Sequence, residues 1–122
     1  MAITQALCTT YKSELLNKEH DMDTDSFKIA LYTSSATLDA TTTAYTVTNE
    51  ISGTGYSAGG VALTGGAIAV SGTTAFVDFT DPSWTTATFT ARGALIYNDS
   101  HASDAAVLVL DFGGDFTVTR GT

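Results

Sequence analysis

Carboxylates dominate the chemistry open to this chain, which carries 13 Asp+Glu against five Lys+Arg. Asp21, Asp23 and Asp25 alternate like the first ligands of an EF-hand loop, a spacing that lets side chains converge on an oxygen-preferring ion. The sixth position of that loop is Ser26 instead of Gly and the twelfth is Tyr32 instead of Glu, so a solvated acidic loop is expected. Asp78, Asp81, Asp111 and Asp115 fall at strand ends or turns, where glycosidase carboxylates sit and where turn-capping aspartates also sit. The glycines at Gly53, Gly55, Gly59 and Gly60 do not make a phosphate cradle: a dinucleotide fingerprint needs glycine where Ala58 stands, and no lysine follows. No G-x-S-x-G elbow is present, and His20 and His101 lie in polar sequence that predicts solvent-facing imidazoles. Cys8 has only Lys12 nearby to stabilise a thiolate, which predicts a packed thiol. Trp84, beside a turn, reads as a core anchor ahead of a binding-surface aromatic. No catalytic residue, cofactor or metal ligand is expected, and the chain is not read as an enzyme.

The elements around these residues read as one helix followed by strands. Ile3, Leu7, Tyr11 and Leu15 recur every four residues and predict a helix over 3–18, with Glu14 four residues before Lys18. Residues 20–26 form a polar loop, and 27–32 alternate as a strand does. The Thr-rich stretch 33–46 is expected as a surface loop leading into a strand at 47–51. Further strands are expected at 61–63, 67–70, 74–79, 87–91 and 94–97, with a bulge at Gly93. The apolar run 105–112 predicts a central strand buried on both faces, and 116–119 a last one. Seven to nine short strands, a threonine content near a fifth of the chain and a single proline indicate an all-β protein. The expected form is an antiparallel β-sandwich, jelly-roll-like, or a barrel, with one short N-terminal α-helix.

A chain of 122 residues and 12.7 kDa is one domain, 1–122. A net charge of -8 and a pI near 4.2 oppose binding to nucleic acid and to anionic membranes. One cysteine excludes an intrachain disulfide. Lys12, Glu14, Lys18 and Glu19 interrupt the segment where a signal peptide would need an apolar stretch, so none is expected.

Four strings, Met1–Cys8, Phe27–Leu38, Asn49–Tyr56 and Thr90–Asn98, resemble a family of small tailed-bacteriophage proteins encoded with virion structural genes. The resemblance spans nearly the whole chain. It implies a virion component, assembled in the host cytoplasm, and brings no catalytic residues. Family members carry one further β segment after the string Leu110–Asp115, which implies a sheet edge here that is open or filled by a neighbouring copy. On this basis the expected function is a head decoration or cement protein, a homo-oligomer that binds the major capsid protein and stabilises the shell. A tail, neck or fibre-base component is the alternative within the virion. A host-surface carbohydrate-binding module is another, with Tyr45, Tyr56 and Trp84 as stacking platforms. Partner contacts are expected from the helix stripe, Ile3, Leu7, Tyr11 and Leu15, and from Thr37, Thr41, Thr42, Thr43 and Tyr45 of the long loop. For the stripe itself, a cap over one open end of the sandwich is the reading preferred to docking onto a partner.

Overall fold

Alternation at 27–32 does produce a strand in the computed structural model, which describes residues 3–22, 24–80, 82–84 and 87–121. In chain order the elements are β1 (Ala6–Leu7), α1 (Thr9–Leu16), β2 (Phe27–Tyr32), β3 (Val61–Ser71), β4 (Thr74–Thr80), β5 (Ala87–Asn98) and β6 (Ala106–Gly121). The protein is thus all-β with one short N-terminal helix. The strands lie in the order β1-β6-β5-β2-β3-β4, and every pair is antiparallel.

Six strands replace the seven to nine expected because short segments fuse. Residues 61–63 and 67–70 join into β3 across a bulge between Thr64 and Ala67. Residues 87–91 and 94–97 join into β5, where the register shifts between Ala91 and Gly93, at the expected bulge. On β6 the same irregularity places residues 112–115 opposite Arg92 alone, between the pairs Ala91↔Phe116 and Gly93↔Asp111. The strand expected at 47–51 is instead an irregular crossing that touches β2 through the single bridge Tyr32↔Glu50.

The helix is shorter than the 3–18 expected, and the four-residue stripe does not form one face. Residues 6–7 pair with Val109 and Leu108 of β6, and the Cys8 N–H donates to Val107 O at 2.9 Å, so α1 starts only at Thr9. Ile3 and Tyr11 are buried, whereas Leu7 and Leu15 are 43% and 44% exposed. Main-chain pairing with a buried strand outweighs the weak helical preference of so short a segment.

Both faces of the central strands β2 and β5 are buried. The run 105–112, expected to be buried on both faces, is buried at Ala105, Ala106, Val107 and Val109 and only half-buried at Leu108, Leu110 and Phe112, because β6 lies second from the sheet edge. On one face Ala30, Tyr32, Leu95, Tyr97, Val107 and Val109 form a core with Ile3, Tyr11, Ala36 and Leu38. On the other, Ile29, Leu31 and Ala94 pack with Ile51, Ala87, Phe89 and Ala91. The cover on each face includes loop. Residues 33–46 run across the first face, held where Thr4 N–H donates to Leu38 O (2.8 Å) and Ala106 N–H to Thr43 O (3.0 Å). Residues 49–60 cross the second so closely that a Cβ at Gly60, φ +80°, would lie 1.8 Å from Ile29 O.

Beyond its short pairing with β2 at Val61–Leu63, β3 continues with β4 as a two-stranded ribbon turning at Gly72. Residues 67–76 are all exposed.

Candidate functional site

His20 is the first correction to the sequence reading. Its side chain is fully buried, with Nε2 2.9 Å from Glu14 Oε1 and Nδ1 2.9 Å from Asn98 Nδ2. Asn98, also fully buried, has its amide orientation fixed twice: Nδ2 donates to Asp25 Oδ2 at 2.8 Å, and Oδ1 accepts from the Ser100 N–H at 2.9 Å. Nδ2 therefore donates to His20 Nδ1, which leaves the ring proton of the neutral imidazole on Nε2, facing Glu14. His101 is wired alike: Nδ1 accepts from the Ser103 N–H (3.1 Å), and Nε2 lies 3.0 Å from Glu19 Oε1. The two imidazoles stack with centroids 5.5 Å apart, and the Tyr11 ring lies 4.9 Å from His20.

Glu14, Glu19 and His101 bring one ligand atom each to within 4.8 Å of one another, a spacing that invites a divalent cation. The hydrogen-bond directions argue for a different role. A metal at His101 Nε2 needs a lone pair there, and hence a proton on Nδ1 pointing at the Ser103 N–H, donor against donor. The cluster is a clasp that ties α1, the 17–26 loop and the end of β5 together. Within it Asp25 also accepts from the Asp21 N–H (3.0 Å), so its carboxylate caps a turn; Asp23, the middle member of the acidic triplet, lies outside the described residues.

Glu50 forms a second constellation, which the sequence reading did not single out. Its Oε1 accepts from Tyr45 OH at 2.5 Å, and its Oε2 accepts from Tyr56 OH and from the Gly59 N–H, the latter at 2.8 Å. Tyr56 OH in turn accepts from the Leu31 N–H (3.0 Å), and Tyr97 OH donates to Gly59 O (2.8 Å). Burial pushes the Tyr97 phenol up to about 12, with Asp99, Asp104 and Glu50 adding to the shift. Burial likewise raises Tyr32, Tyr45 and Tyr56, and Glu50 raises each further. All these hydroxyls remain neutral donors at physiological pH. Asn49, at φ +61°, turns the chain so that the next carboxylate points inward.

The residues expected to contact partners divide by burial. Ile3 packs against Gly93, where a Cβ would lie 2.8 Å from Ile3 Cδ1, and Tyr11 packs under His20; both belong to the core. Tyr45 stacks on Tyr97 at 4.7 Å and spends its hydroxyl on Glu50. Thr42 Oγ1 accepts from the Asp39 N–H at 3.0 Å. Thr41 donates its hydroxyl (2.5 Å) and N–H (2.8 Å) to Asp39, which holds that carboxyl below its ordinary range. Leu7, Leu15, Thr37, Thr41 and Thr43 lie at the surface.

Of the other chemical candidates, Cys8, Asp111 and Asp115 are similarly engaged. Cys8 is fully buried, and burial, reinforced by Asp39 and Glu14, pushes its thiol up to about 11, so it stays protonated. Asp111 and Asp115 flank Arg92 at 3.9 and 3.7 Å, Asp78 sits on the exposed ribbon, and Asp81 lies outside the described residues. Tyr56, Trp84 and Phe89 pack against one another, with centroids 6.0–6.3 Å apart, which spends ring faces that a sugar would need.

Comparison with protein-family models, curated proteins and solved structures finds no match. Among the described residues, what remains unspent is surface. Leu15 lies beside the β3–β4 ribbon, where Ile68, Val70 and Phe76 are 57%, 70% and 44% exposed.

Proposed function

We propose that this chain is a bacteriophage virion structural protein, a head decoration protein that binds the major capsid protein and reinforces the shell. The reading rests first on the resemblance carried by the four strings quoted above. One structural observation supports it: carboxylates, imidazoles and phenols capable of chemistry are tied into internal hydrogen bonds, while apolar and threonine side chains face outward. A protein so arranged works by surface complementarity repeated by symmetry. The long loop offers Thr37, Thr41 and Thr43 outward, with Leu7 on the neighbouring edge, as the surface that meets the capsid. The strong negative charge suits a layer facing solvent outside a DNA-filled shell.

Quantitative mass spectrometry of purified virions tests the assignment. A ratio to major capsid protein near one, or a large fraction of one, is expected. A handful of copies per particle moves the chain to the tail, neck or fibre base, and absence from virions overturns the reading.

A further inference from the structure

Both imidazoles of the clasp are held as acceptors at Nδ1. Asn98 Nδ2 donates to His20 at 2.9 Å, and the Ser103 N–H donates to His101 at 3.1 Å. Neither donor can turn away, since Asp25 and the Ser100 N–H pin the Asn98 amide and the chain itself fixes a backbone N–H. An imidazolium carries a proton on each nitrogen and accepts nothing, so a second proton on either ring sets donor against donor. Two such cations would also face each other across the 5.5 Å stack, with the His20 side chain shut off from water.

The surroundings nevertheless draw protons. His20 faces Glu14 and Tyr11 of α1, lines one groove with Lys18 and Asp21, and meets Asp25 through Asn98. His101 faces Glu19, and Asp99 beside Asn98 is paired with Lys28 of β2 at 3.7 Å. Among the described residues, carboxylates thus outnumber cations around two rings that cannot be protonated where they stand.

We infer that the paired imidazoles are an acid-operated latch: proton uptake at His20 and His101 breaks their Nδ1 hydrogen bonds and frees α1 and the 17–26 loop from the end of β5. The helix has little else to hold it. It spans eight residues, too few to persist alone, and its buried residue, Tyr11, packs under His20 itself. Its apolar anchor and its polar tie therefore meet at one ring. The start of the helix is the pivot, because Ala6, Leu7 and the Cys8 N–H remain bonded to β6 and the Thr9 N–H to Ala40 O. Once the clasp is open, each imidazolium can turn to meet a carboxylate in water, so acid favours the open form. A free imidazole titrates at about pH 6.5 and carboxylates at about pH 4, which sets the response of the latch between about pH 7 and 5.

Hydrogen exchange of the full chain, corrected for the intrinsic effect of pH on exchange, is the test. Residues 9–26 should exchange at least tenfold faster at pH 5 than at pH 7, while 27–32 and 93–98 keep their protection. The double substitution His20→Gln with His101→Gln should abolish that difference, because a glutamine amide offers an acceptor and a donor as neutral imidazole does but takes up no proton. Should the double variant fail to fold, the imidazole nitrogen chemical shifts of the unaltered protein supply a second measurement: ring protonation and faster exchange must share one midpoint. Protection of 9–26 that is unchanged down to pH 5 overturns the inference. So does faster exchange that persists in the glutamine variant, or rings that protonate while 9–26 stays protected. None of these results depends on the copy number in virions, so this inference and the virion reading fail separately.

Discussion

Replacing Glu50 should cost more stability than replacing any other surface-proximal carboxylate of the protein, because three donors converge on it. Tyr45 OH, Tyr56 OH and the Gly59 N–H all donate to its carboxylate. Hydrogen bonds to a charged acceptor contribute about 1.5–3 kcal/mol each, and the partial exposure of Glu50 lets water replace some of that loss. Glu50→Ala should therefore destabilise by about 3–5 kcal/mol, a large share of the roughly 5–15 kcal/mol that holds a domain together. Glu50→Gln keeps an acceptor oxygen for Tyr56 and Gly59 and an amide toward Tyr45, whose hydroxyl can turn to accept; its cost should be about 1–2 kcal/mol. Urea unfolding followed by tyrosine and tryptophan fluorescence measures both, since Tyr56 lies 6.3 Å from Trp84. Native-state hydrogen exchange should show the Leu31 amide, bonded to Tyr56 OH, losing protection in the alanine variant. A Glu50→Ala chain within about 1 kcal/mol of wild type, at unchanged denaturant slope, would show that the carboxylate does not anchor the 49–60 crossing.

Three further outcomes can be checked by the same methods. Asn98→Asp removes the amide that donates to His20 Nδ1 and sets a carboxylate against Asp25, so it should destabilise by about 3 kcal/mol or more in thermal or urea unfolding. Gly60→Ala sets a Cβ against the β2 backbone at Ile29 O and should yield little folded protein by circular dichroism, whereas Gly114→Ala, with nothing within 4 Å of its Cβ, should be near neutral. Alkaline titration should unfold the chain: a phenol raised on folding contributes stability that is whole below pH 10 and is lost as pH climbs through its folded value, about 12 for Tyr97. A native circular dichroism signal retained above pH 12 would contradict the burial of these tyrosines.

The strand at 27–32 and the bulge at Gly93 were legible because each is written in local periodicity or in a glycine that only a close approach requires. The helix boundary was not, since the pairing of residues 6–7 with β6 depends on a strand about a hundred residues away. His20 illustrates the same limit for the candidate site. Its surroundings in sequence are polar, and its burial comes from Asn98, 78 residues on, and from His101. Glu50 left a fainter local mark: a carboxylate between a left-handed Asn49 and a glycine-rich turn ending in Tyr56, within one of the strings that carry the resemblance. Ile3 against Gly93, and Glu50 with Tyr56, both fall inside those strings. They record how the sheet is covered, which explains why they speak more directly of architecture than of partners.

Residues 112–115 of β6 stand opposite a single residue of β5, and the pairing resumes correctly on either side of them. Gly113 and Gly114 at their centre have nothing within 4 Å of where a side chain would begin. Additional chain inserted between them would enter open space without shifting either half of the ladder, at an entropic cost that grows only slowly with its length. The site is thus a natural splice point, through which the protein could be made to carry a foreign epitope or enzyme tag and, if it coats a shell, to array that cargo at the density of the shell itself.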